Sequence, residues 1–343
     1  MDFHPTEEQA AAAGLAARIF SDLATHERLA TTGTGSDAEL WKALTGAGLT
    51  AAVEDIGLLG LVLLLEEQGR TTAQVPYAAT CAYGILPVAA HGSAEQRARL
   101  LPALGSGDAV ATGAFPARGR ITAEDGRLSG TAPTVPWLRD ATHVLVPDAE
   151  RALWLVRTDA PGVRTSPVET TAPWSAGRLV LSGAEGERIG SDGAYEHTLA
   201  AARTAFAGLQ AGVCAGSLAR AVEYTSTREQ FGRPLSTNQG VMLRAADAYM
   251  DTEAIRVTTY EAAWRIDQGL TAHEHALTAA WWASEAGKRV VHAGQHLHGG
   301  MGADLDHPVH RHFLWGRQLD AYLGCGSELL AELGASIAEG EQA

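Results

Sequence analysis

The chain has 343 residues, enough for two or three packed units that share large interiors. Its formal net charge of −14 excludes the basic stripe that a nucleic-acid binder needs to displace counterions from phosphates. Charged residues make up 19% of the chain, a sparse share that is typical of a subunit losing surface to partner chains.

The cysteines and apolar runs predict a cytoplasmic protein that does not enter a membrane. Cys81, Cys214 and Cys325 lie far apart and form no CxxC pair, so neither a disulfide framework nor a zinc knuckle is indicated. The first residues, MDFHPTEEQ, lack the basic region of a signal peptide. The longest apolar run, residues 57–65, is too short to span a bilayer.

The patterns in chain order predict a mainly α fold with a small β domain. Residues 1–105 are rich in Ala and Leu at helical spacing, and Ser93 followed by Gln96 indicates one helix start. Residues 106–192 carry the strand-like runs THVLVPD, ALWLVRT and GRLVLSG, which predict a short middle β domain. Residues 193–343 return to long helical patterns, which predict a C-terminal helical bundle.

The segment TREQFGRPLSTNQ, residues 227–239, lies between two of the long helices and has two interpretations. In the structural one, Ser236 and Gln239 form a capping box at the start of the next helix and Phe231 staples a hairpin. In the functional one, Arg228, Phe231 and Gln239 form an exposed corner that holds a pyrophosphate and stacks on a heterocycle.

The segment QHLHGGMGADLDHPVHR follows another long helix. Its Gly299-Gly300 pair would let backbone approach a ligand phosphate, although a helix C-cap would use one such glycine equally well. The nearby histidines (His292, His296, His298, His307, His310 and His312) lack an HExxH or carboxylate grouping. We therefore predict structural roles for them and no metal site. Trp281 and Trp282, on an Ala-rich helix, are predicted to pack in a core or an interface.

Four motifs together resemble those of the acyl-CoA dehydrogenase family. They are the start MDFHPTEEQ, the RxxFGxPLxxxQ pattern from Arg228 to Gln239, the LHGGMG block at 297–302 and HPVHR at 307–311. The resemblance implies an N-terminal helical domain, a middle β-barrel-like domain and a C-terminal four-helix bundle that together bind FAD.

The resemblance also implies roles for particular residues. Arg228, Phe231 and Gln239 are expected to reach across a dimer interface to the FAD of the neighbouring subunit. Gly299 and Gly300 are expected to lie along the adenosine diphosphate end of that cofactor. His296 stands where the family has a cofactor-contacting Gln, with Gln295 one residue earlier, and either side chain could donate to a phosphate.

The sequence departs from the family at the general base, a carboxylate that removes the substrate's α proton. Family members carry this base at one of two positions. In this sequence Leu323 stands at the first position and Ala202, just before Arg203, at the second. Asp247 and Glu328 are two weak substitutes, so the catalytic residue stays unassigned.

The β region departs as well. The stretches closest to the family's flavin-contacting segments are AFPARGRIT and GTAPTVPWLRD. The second places Thr134 and Pro136 at the positions of an aromatic residue and a Thr. We therefore expect this chain's own flavin cleft to have lost contacts, whereas residues 227–239, which reach a neighbour's cofactor, keep theirs.

These expectations favour a short subunit of a heterotetrameric acyl-CoA dehydrogenase, paired with a longer homologous chain that supplies the base. Its substrate would be an acyl-CoA, including the steroid side-chain type, and its electrons would leave to an electron-transfer flavoprotein. Two alternatives remain open at this point: a non-catalytic structural or regulatory subunit, and a flavin-dependent hydroxylase or oxidase on the same fold.

Overall fold

The computed structural model describes residues 3–118 and 120–340, which form mainly helices together with short strands. The helices of this described part, α1 to α12 in chain order, are Glu7–Leu23, His26–Thr32, Ala38–Gly46, Val53–Thr71, Tyr77–Thr80, Leu86–His91, Ala94–Ser106, Ala194–Thr227, Gln239–Asp267, His273–Leu297, Val309–Asp320 and Gly326–Gly340. The strands, β1 to β10, are Ala111–Gly113, Ile121–Glu124, Arg127–Val135, His143–Pro147, Leu153–Arg157, Val163–Pro167, Gly177–Glu185, Glu187–Ile189, Glu229–Gln230 and Arg233–Pro234. A π-helical turn spans Cys81–Ile85, and 3₁₀ turns span Leu235–Thr237 and Gly299–Ala303.

The chain divides into two compact units, and the division passes through α4 and α8. The first, which we call the bundle unit, comprises the described residues of 1–4, 62–73 and 203–343. The second comprises the described residues of 5–61 and 74–202. The predicted domains, residues 1–105, 106–192 and 193–343, stay a prediction.

The second unit combines the N-terminal helices with two four-stranded sheets. Its helix α7 begins as predicted, because Ser93 and Gln96 form a reciprocal capping box. One sheet has the strand order β1-β4-β5-β8 and the other β2-β3-β7-β6. Along β7, buried and more exposed residues alternate from Gly177 to Ser182, as expected for a strand with one face in a core. Both sheets contribute to one apolar cluster: Ile121, Leu128, Ala132, Val135, Leu138, Val144, Val146, Val156, Leu179, Leu181 and Ala184.

In the bundle unit, small residues let helices approach closely. The core of α8, α9 and α10 consists largely of alanines, and α10 packs against α9, α11 and α12. A Cβ added to Gly212 would lie 2.0 Å from the Glu66 carbonyl oxygen, and one added to Gly69 would lie 2.2 Å from the Leu209 oxygen. The crossing of α4 and α8 therefore brings backbone onto backbone, and only glycine fits there.

Helix α8 is long and apolar enough to cross a membrane, judged by length and composition alone. Most of it is buried within the protein, however. An apolar helix that is mostly buried within the protein is typical of a core helix.

A buried ionic cluster also joins α4 to α9. The Glu66 carboxylate accepts hydrogen bonds from Arg256 Nε at 3.0 Å and from the Tyr260 hydroxyl at 2.8 Å. Burial raises the pKa of the Glu66 carboxyl, and the Arg256 charge opposes that rise. Losing Arg256 would leave the buried Glu66 carboxylate without its paired cation, which is strongly destabilising.

His312 on α11 is buried in the same unit. Its Nε2 lies 3.0 Å from the Arg70 carbonyl oxygen and so carries the proton of a neutral imidazole. Burial, with smaller contributions from the Arg220 and Arg311 charges, lowers the pKa of His312 to about 4. The folded chain therefore resists protonation of this ring.

Candidate functional site

The segment between α8 and α9 is a small hairpin in the bundle unit. Helix α8 ends at Thr227, and β9 then pairs with β10 in antiparallel register, with Gln230 opposite Arg233. The two turn residues, Phe231 and Gly232, have φ angles of 55° and 75°. This is the geometry of a type I′ turn, in which Asn or Gly is the usual first residue. Phe231 therefore occupies a conformation that costs a residue with a Cβ about 1–2 kcal/mol.

The hairpin presents side chains that this chain itself does not use. Phe231 is fully exposed, with a relative accessibility of 101%. The Arg228 guanidinium and the Gln239 amide, both exposed, have no polar partner among the described residues. A strained backbone that displays an unpacked aromatic ring and an unpaired cation is typical of a binding surface.

The predicted capping box at Ser236 and Gln239 is wrong. Ser236 lies in the 3₁₀ turn, and α9 begins at Gln239 with Asn238 as its N-cap. The Asn238 side-chain oxygen accepts a hydrogen bond from the Gly240 N–H at 3.0 Å. Because Asn238 satisfies the helix start, the Gln239 amide remains available to a ligand. The predicted staple is wrong as well, since the exposed Phe231 ring packs on nothing.

The Gly-Gly block forms a 3₁₀ turn just after α10. Gly299 has a φ of 61°, which explains its identity by backbone conformation alone. Gly300 has no positive φ, and a Cβ added there would meet nothing within 4 Å. The fold of this chain therefore does not require glycine at position 300, whereas close approach of a ligand phosphate would.

Gln295 and His296, which the sequence left as alternatives, have different surroundings. The Gln295 amide donates to the Gly302 carbonyl oxygen at 3.1 Å and so braces the glycine turn. His296 is exposed, and its Nδ1 lies 2.5 Å from Arg244 Nη1. Because arginine can only donate, Nδ1 is the acceptor and the neutral ring carries its proton on Nε2. His296 is therefore the better placed donor to an outside acceptor.

The two residues predicted to stand at the family's base positions are both apolar and buried. Leu323 is 6% exposed, and Ala202 is fully buried. Arg203, beside Ala202, is 5% exposed and makes a bidentate ion pair with Glu332 at 2.8 and 2.7 Å. In this chain the guanidinium is thus held by the last helix, α12.

The two substitute carboxylates, Asp247 and Glu328, have the surroundings of a surface residue and a helix cap. The Glu328 carboxylate accepts a hydrogen bond from the Cys325 N–H at 3.3 Å, which is the reach-back contact of a helix cap at the start of α12. Asp247 is exposed and lines an open cleft between α9 and α10, near Arg244 and Asp251. A solvated carboxylate among such charges has the surroundings of an ordinary surface residue.

In the second unit, described residues of the stretch AFPARGRIT contact neighbours within the same unit. The Phe115 ring stacks between Tyr83, at 5.1 Å, and Tyr195, at 5.7 Å. The Ala117 N–H donates to the Tyr195 hydroxyl at 3.0 Å. In the second stretch, Thr134 is exposed, and the carbonyl of the buried Pro136 accepts a hydrogen bond from the Thr112 hydroxyl. Phe115, the Ala117 N–H and the Pro136 carbonyl are thus engaged in contacts within this unit, whereas the Thr134 side chain is exposed.

The remaining histidines and tryptophans have structural surroundings. The His292 ring packs edge-on against Phe313, and the His310 Nδ1 lies 2.7 Å from the His307 carbonyl oxygen. Trp282 packs on the bundle core and Trp281 on the cluster that contains Leu329, as predicted. Across residues 3–118 and 120–340, no group of three or more His, Cys, Asp or Glu side chains could hold a metal ion.

Sequence reasoning missed two residues of this corner, Arg244 and Tyr224, and predicted for His298 a structural role without a partner. Arg244 pairs with His296, and the Tyr224 ring stacks on the His298 ring at 4.9 Å. The first pair joins helices that are distant in sequence, so no local pattern reveals it. The second pair likewise joins residues that are distant in sequence.

The corner fits the phosphate-bearing part of FAD. Arg228 offers a charge-assisted donor, Gln239 and His296 offer N–H groups, Phe231 offers a stacking face, and Gly300 leaves room for a phosphate. Of the described residues in the β segments, Phe115 and Pro136 are already engaged in contacts within the chain.

Comparison with known proteins gives the same assignment over most of the chain. The family model for the acyl-CoA dehydrogenase C-terminal domain matches residues 193–337, and the model for the N-terminal domain matches residues 6–108. Acyl-CoA dehydrogenase FadE27 of Mycobacterium tuberculosis is 36% identical, and the alignment covers 99% of each chain.

Two solved structures are also similar along their full length. A chain of the Tcur3481-Tcur3483 steroid ACAD structure is 42% identical with a TM-score of 0.93, covering 98% of this chain and 99% of that one. A chain of the ChsE4-ChsE5 complex from Mycobacterium tuberculosis is 33% identical, also with a TM-score of 0.93, and 99% of each chain is covered. Together with the matched domains and the FAD-compatible corner, these similarities show that the chain belongs to the acyl-CoA dehydrogenase family of FAD-dependent oxidoreductases.

Proposed function

We propose that this chain is one subunit of a heterotetrameric acyl-CoA dehydrogenase and lends its hairpin to an FAD that a longer homologous chain also binds. The observation that carries the proposal is a contrast within one chain. Arg228 and Phe231 are exposed and unused, whereas Leu323 and Ala202 fill both base positions with buried apolar groups.

In this proposal the chain binds and orients the cofactor. Arg228 pairs with the pyrophosphate, Phe231 covers an apolar face, and Gln239 and His296 donate N–H groups to phosphate or ribose oxygens. FAD, when bound, supplies the acceptor for the hydride that leaves the acyl-CoA β carbon. The α proton needs a carboxylate, which the homologous chain provides because neither Leu323 nor Ala202 can accept a proton.

The surface of α9 supports a large protein partner. Five of its apolar side chains are exposed, a set we call the α9 apolar face: Met242, Leu243, Tyr249, Met250 and Val257. Apolar residues that cluster on one exposed helix are typical of an interface that another chain covers. A homologous chain is the partner we propose, since the similar chain from Mycobacterium tuberculosis belongs to the ChsE4-ChsE5 complex.

The substrate we propose is the CoA thioester of a steroid side chain, because the similar Tcur3481-Tcur3483 protein is a steroid ACAD. Electrons would pass to an electron-transfer flavoprotein. We place the enzyme in the cytoplasm, where its three cysteines, all free, would stay reduced.

The test is the visible flavin absorbance per chain, measured for the chain alone and for the complex captured from the source cell. We expect little flavin in the soluble chain alone and a full complement in the complex with a homologous chain. A full complement of flavin in the isolated chain, or capture of no homologous partner, would overturn the proposal.

Two variants separate flavin binding from a purely structural role. Arg228→Ala should release FAD from the complex while the partner stays bound. Arg233→Ala is the matched control, because it removes the same exposed charge from the other strand of the hairpin. Retention of FAD by the Arg228 variant would instead support a subunit that only shapes its partner. Oxygen consumption without electron transfer from a CoA ester would point to a hydroxylase or oxidase.

A further inference from the structure

The FAD-binding corner is built from two separate pieces of the bundle unit. One piece is the hairpin after α8, which carries Arg228 and Phe231, and the other is the glycine turn after α10. A dinucleotide cofactor would have to meet both pieces at once, so their spacing matters for binding.

A pair of stacked rings joins these two pieces. The Tyr224 ring on the last turns of α8 lies over the His298 ring at a centroid distance of 4.9 Å and an interplanar angle of 19°. His298 is the residue immediately before Gly299, and Tyr224 precedes Arg228 by one helical turn. The stack therefore joins the base of the hairpin to the base of the glycine turn.

His298 is fixed on its own side of the stack. It is 3% exposed, and its Nδ1 lies 2.7 Å from the Gly294 carbonyl oxygen, so that nitrogen carries the proton. The His307 ring lies 5.0 Å away. Because the hydrogen bond to Gly294 and the contact with His307 both restrain the ring, His298 presents a fixed face to Tyr224.

Tyr224 is linked in turn to Arg228. The Arg228 N–H donates to the Tyr224 carbonyl oxygen at 2.8 Å, so the last helical hydrogen bond of α8 ends at the arginine. The Tyr224 hydroxyl has no polar partner among the described residues, which leaves the ring as the part of the side chain that contacts protein. The backbone from which the Arg228 side chain extends is therefore hydrogen-bonded to the residue whose ring stacks on His298.

We propose that Tyr224 and His298 are positioning residues that set the spacing between the Arg228 hairpin and the Gly299–Gly300 turn. They act through this spacing and do not touch FAD. The inference rests on the proposed function only in that FAD meets this corner, whichever chain provides the rest of the cofactor site.

The experiment measures the FAD dissociation constant of the assembled enzyme by flavin fluorescence, together with thermal unfolding of the isolated chain. Tyr224→Ala should weaken FAD binding about tenfold, the upper end for one aromatic pair. Tyr224→Phe keeps the stack and should stay within about twofold of the parent. His298→Ala should match Tyr224→Ala, and His298→Phe should restore part of the loss.

The double variant provides the readout that a general structural role would not produce. If the two rings act only through each other, Tyr224→Ala combined with His298→Ala should bind FAD no more weakly than either single variant. Additive losses would overturn the inference, as would an unchanged affinity in Tyr224→Ala. A loss in Tyr224→Phe equal to that in Tyr224→Ala would also overturn it, because the hydroxyl would then contact the cofactor directly.

These outcomes are separate from failure of the proposed function. If the isolated chain proves to bind its own FAD as a homo-oligomer, the same four single variants and the double variant can be measured in that assembly. The heteromeric proposal would then have failed while the positioning role of Tyr224 and His298 is still decided.

Discussion

Phe231→Asn should stabilise the isolated chain and weaken FAD binding, two effects of opposite sign from one substitution. The native φ of 55° is unfavourable for phenylalanine, whereas Asn followed by Gly is the preferred pair for this turn. The ring packs on nothing in the chain, since its relative accessibility is 101%. Its removal therefore leaves no cavity behind.

The sizes of the two effects follow from these observations. Relief of the left-handed conformation should raise the free energy of unfolding by about 1 kcal/mol. That gain corresponds to an increase of about 1–2 °C in Tm for a chain of this length. Loss of a ring that becomes buried against the cofactor should cost about 2 kcal/mol, or about thirtyfold in the FAD dissociation constant.

Denaturant unfolding of the isolated chain and FAD titration of the assembled enzyme measure the two effects separately. Phe231→Leu is the control, because it keeps the strained backbone and an apolar group but removes the aromatic face. It should leave stability unchanged and weaken FAD binding. A lower stability of the isolated Phe231→Asn chain would refute the reasoning, since the ring would then pack within the chain.

Three further predictions follow from the glycine turn, the helix cap and the buried histidine. Gly300→Ala should leave unfolding of the isolated chain unchanged but weaken FAD binding, whereas Gly299→Ala should lower stability by about 1 kcal/mol because of its positive φ; denaturant unfolding and FAD titration of both variants test this. Glu328→Gln should retain both the helix cap and the dehydrogenase activity of the complex, and Glu328→Ala should cost about 1 kcal/mol of stability; a loss of turnover by orders of magnitude in Glu328→Gln would instead identify a base. For His312, the folded pKa of about 4 lies below the ordinary value of 6.5, so its contribution is present above pH 6.5 and is lost as the pH falls toward 4. Unfolding free energy should fall by about 2 kcal/mol between pH 8 and pH 5 from this residue, and His312→Phe should show a shallower fall in denaturant titrations across that range.

The sequence predicted the helical and β regions and the motifs of the corner, because these depend on local periodicity and turn residues. The start of α7 at Ser93 and the strands β4, β5 and β7 fall where the patterns place them. The helix start after the hairpin was misplaced because Ser236 and Asn238 are both good caps. Ser236 lies within the 3₁₀ turn Leu235–Thr237, so Asn238, the residue after that turn, is the cap.

Other features of the corner could not be predicted from local sequence patterns. A Phe-Gly pair is not a usual type I′ turn, so the positive φ of Phe231 has no sequence signal. The choice between Gln295 and His296 depended on what each side chain bonds in space, which for Gln295 is Gly302 and for His296 is Arg244. Contacts of that kind bring together segments that no periodicity relates.

The α9 apolar face has a consequence for how much of this protein a cell holds. In the proposed assembly a partner covers Met242, Leu243 and Met250, and without it a newly made chain displays the kind of surface that chaperones and proteases recognise. Surplus copies should therefore be degraded, so that the amount of this chain follows the supply of its partner whatever its own rate of synthesis. Pulse-chase labelling should give a short half-life without the partner and a long one with it, and equal half-lives would contradict this expectation.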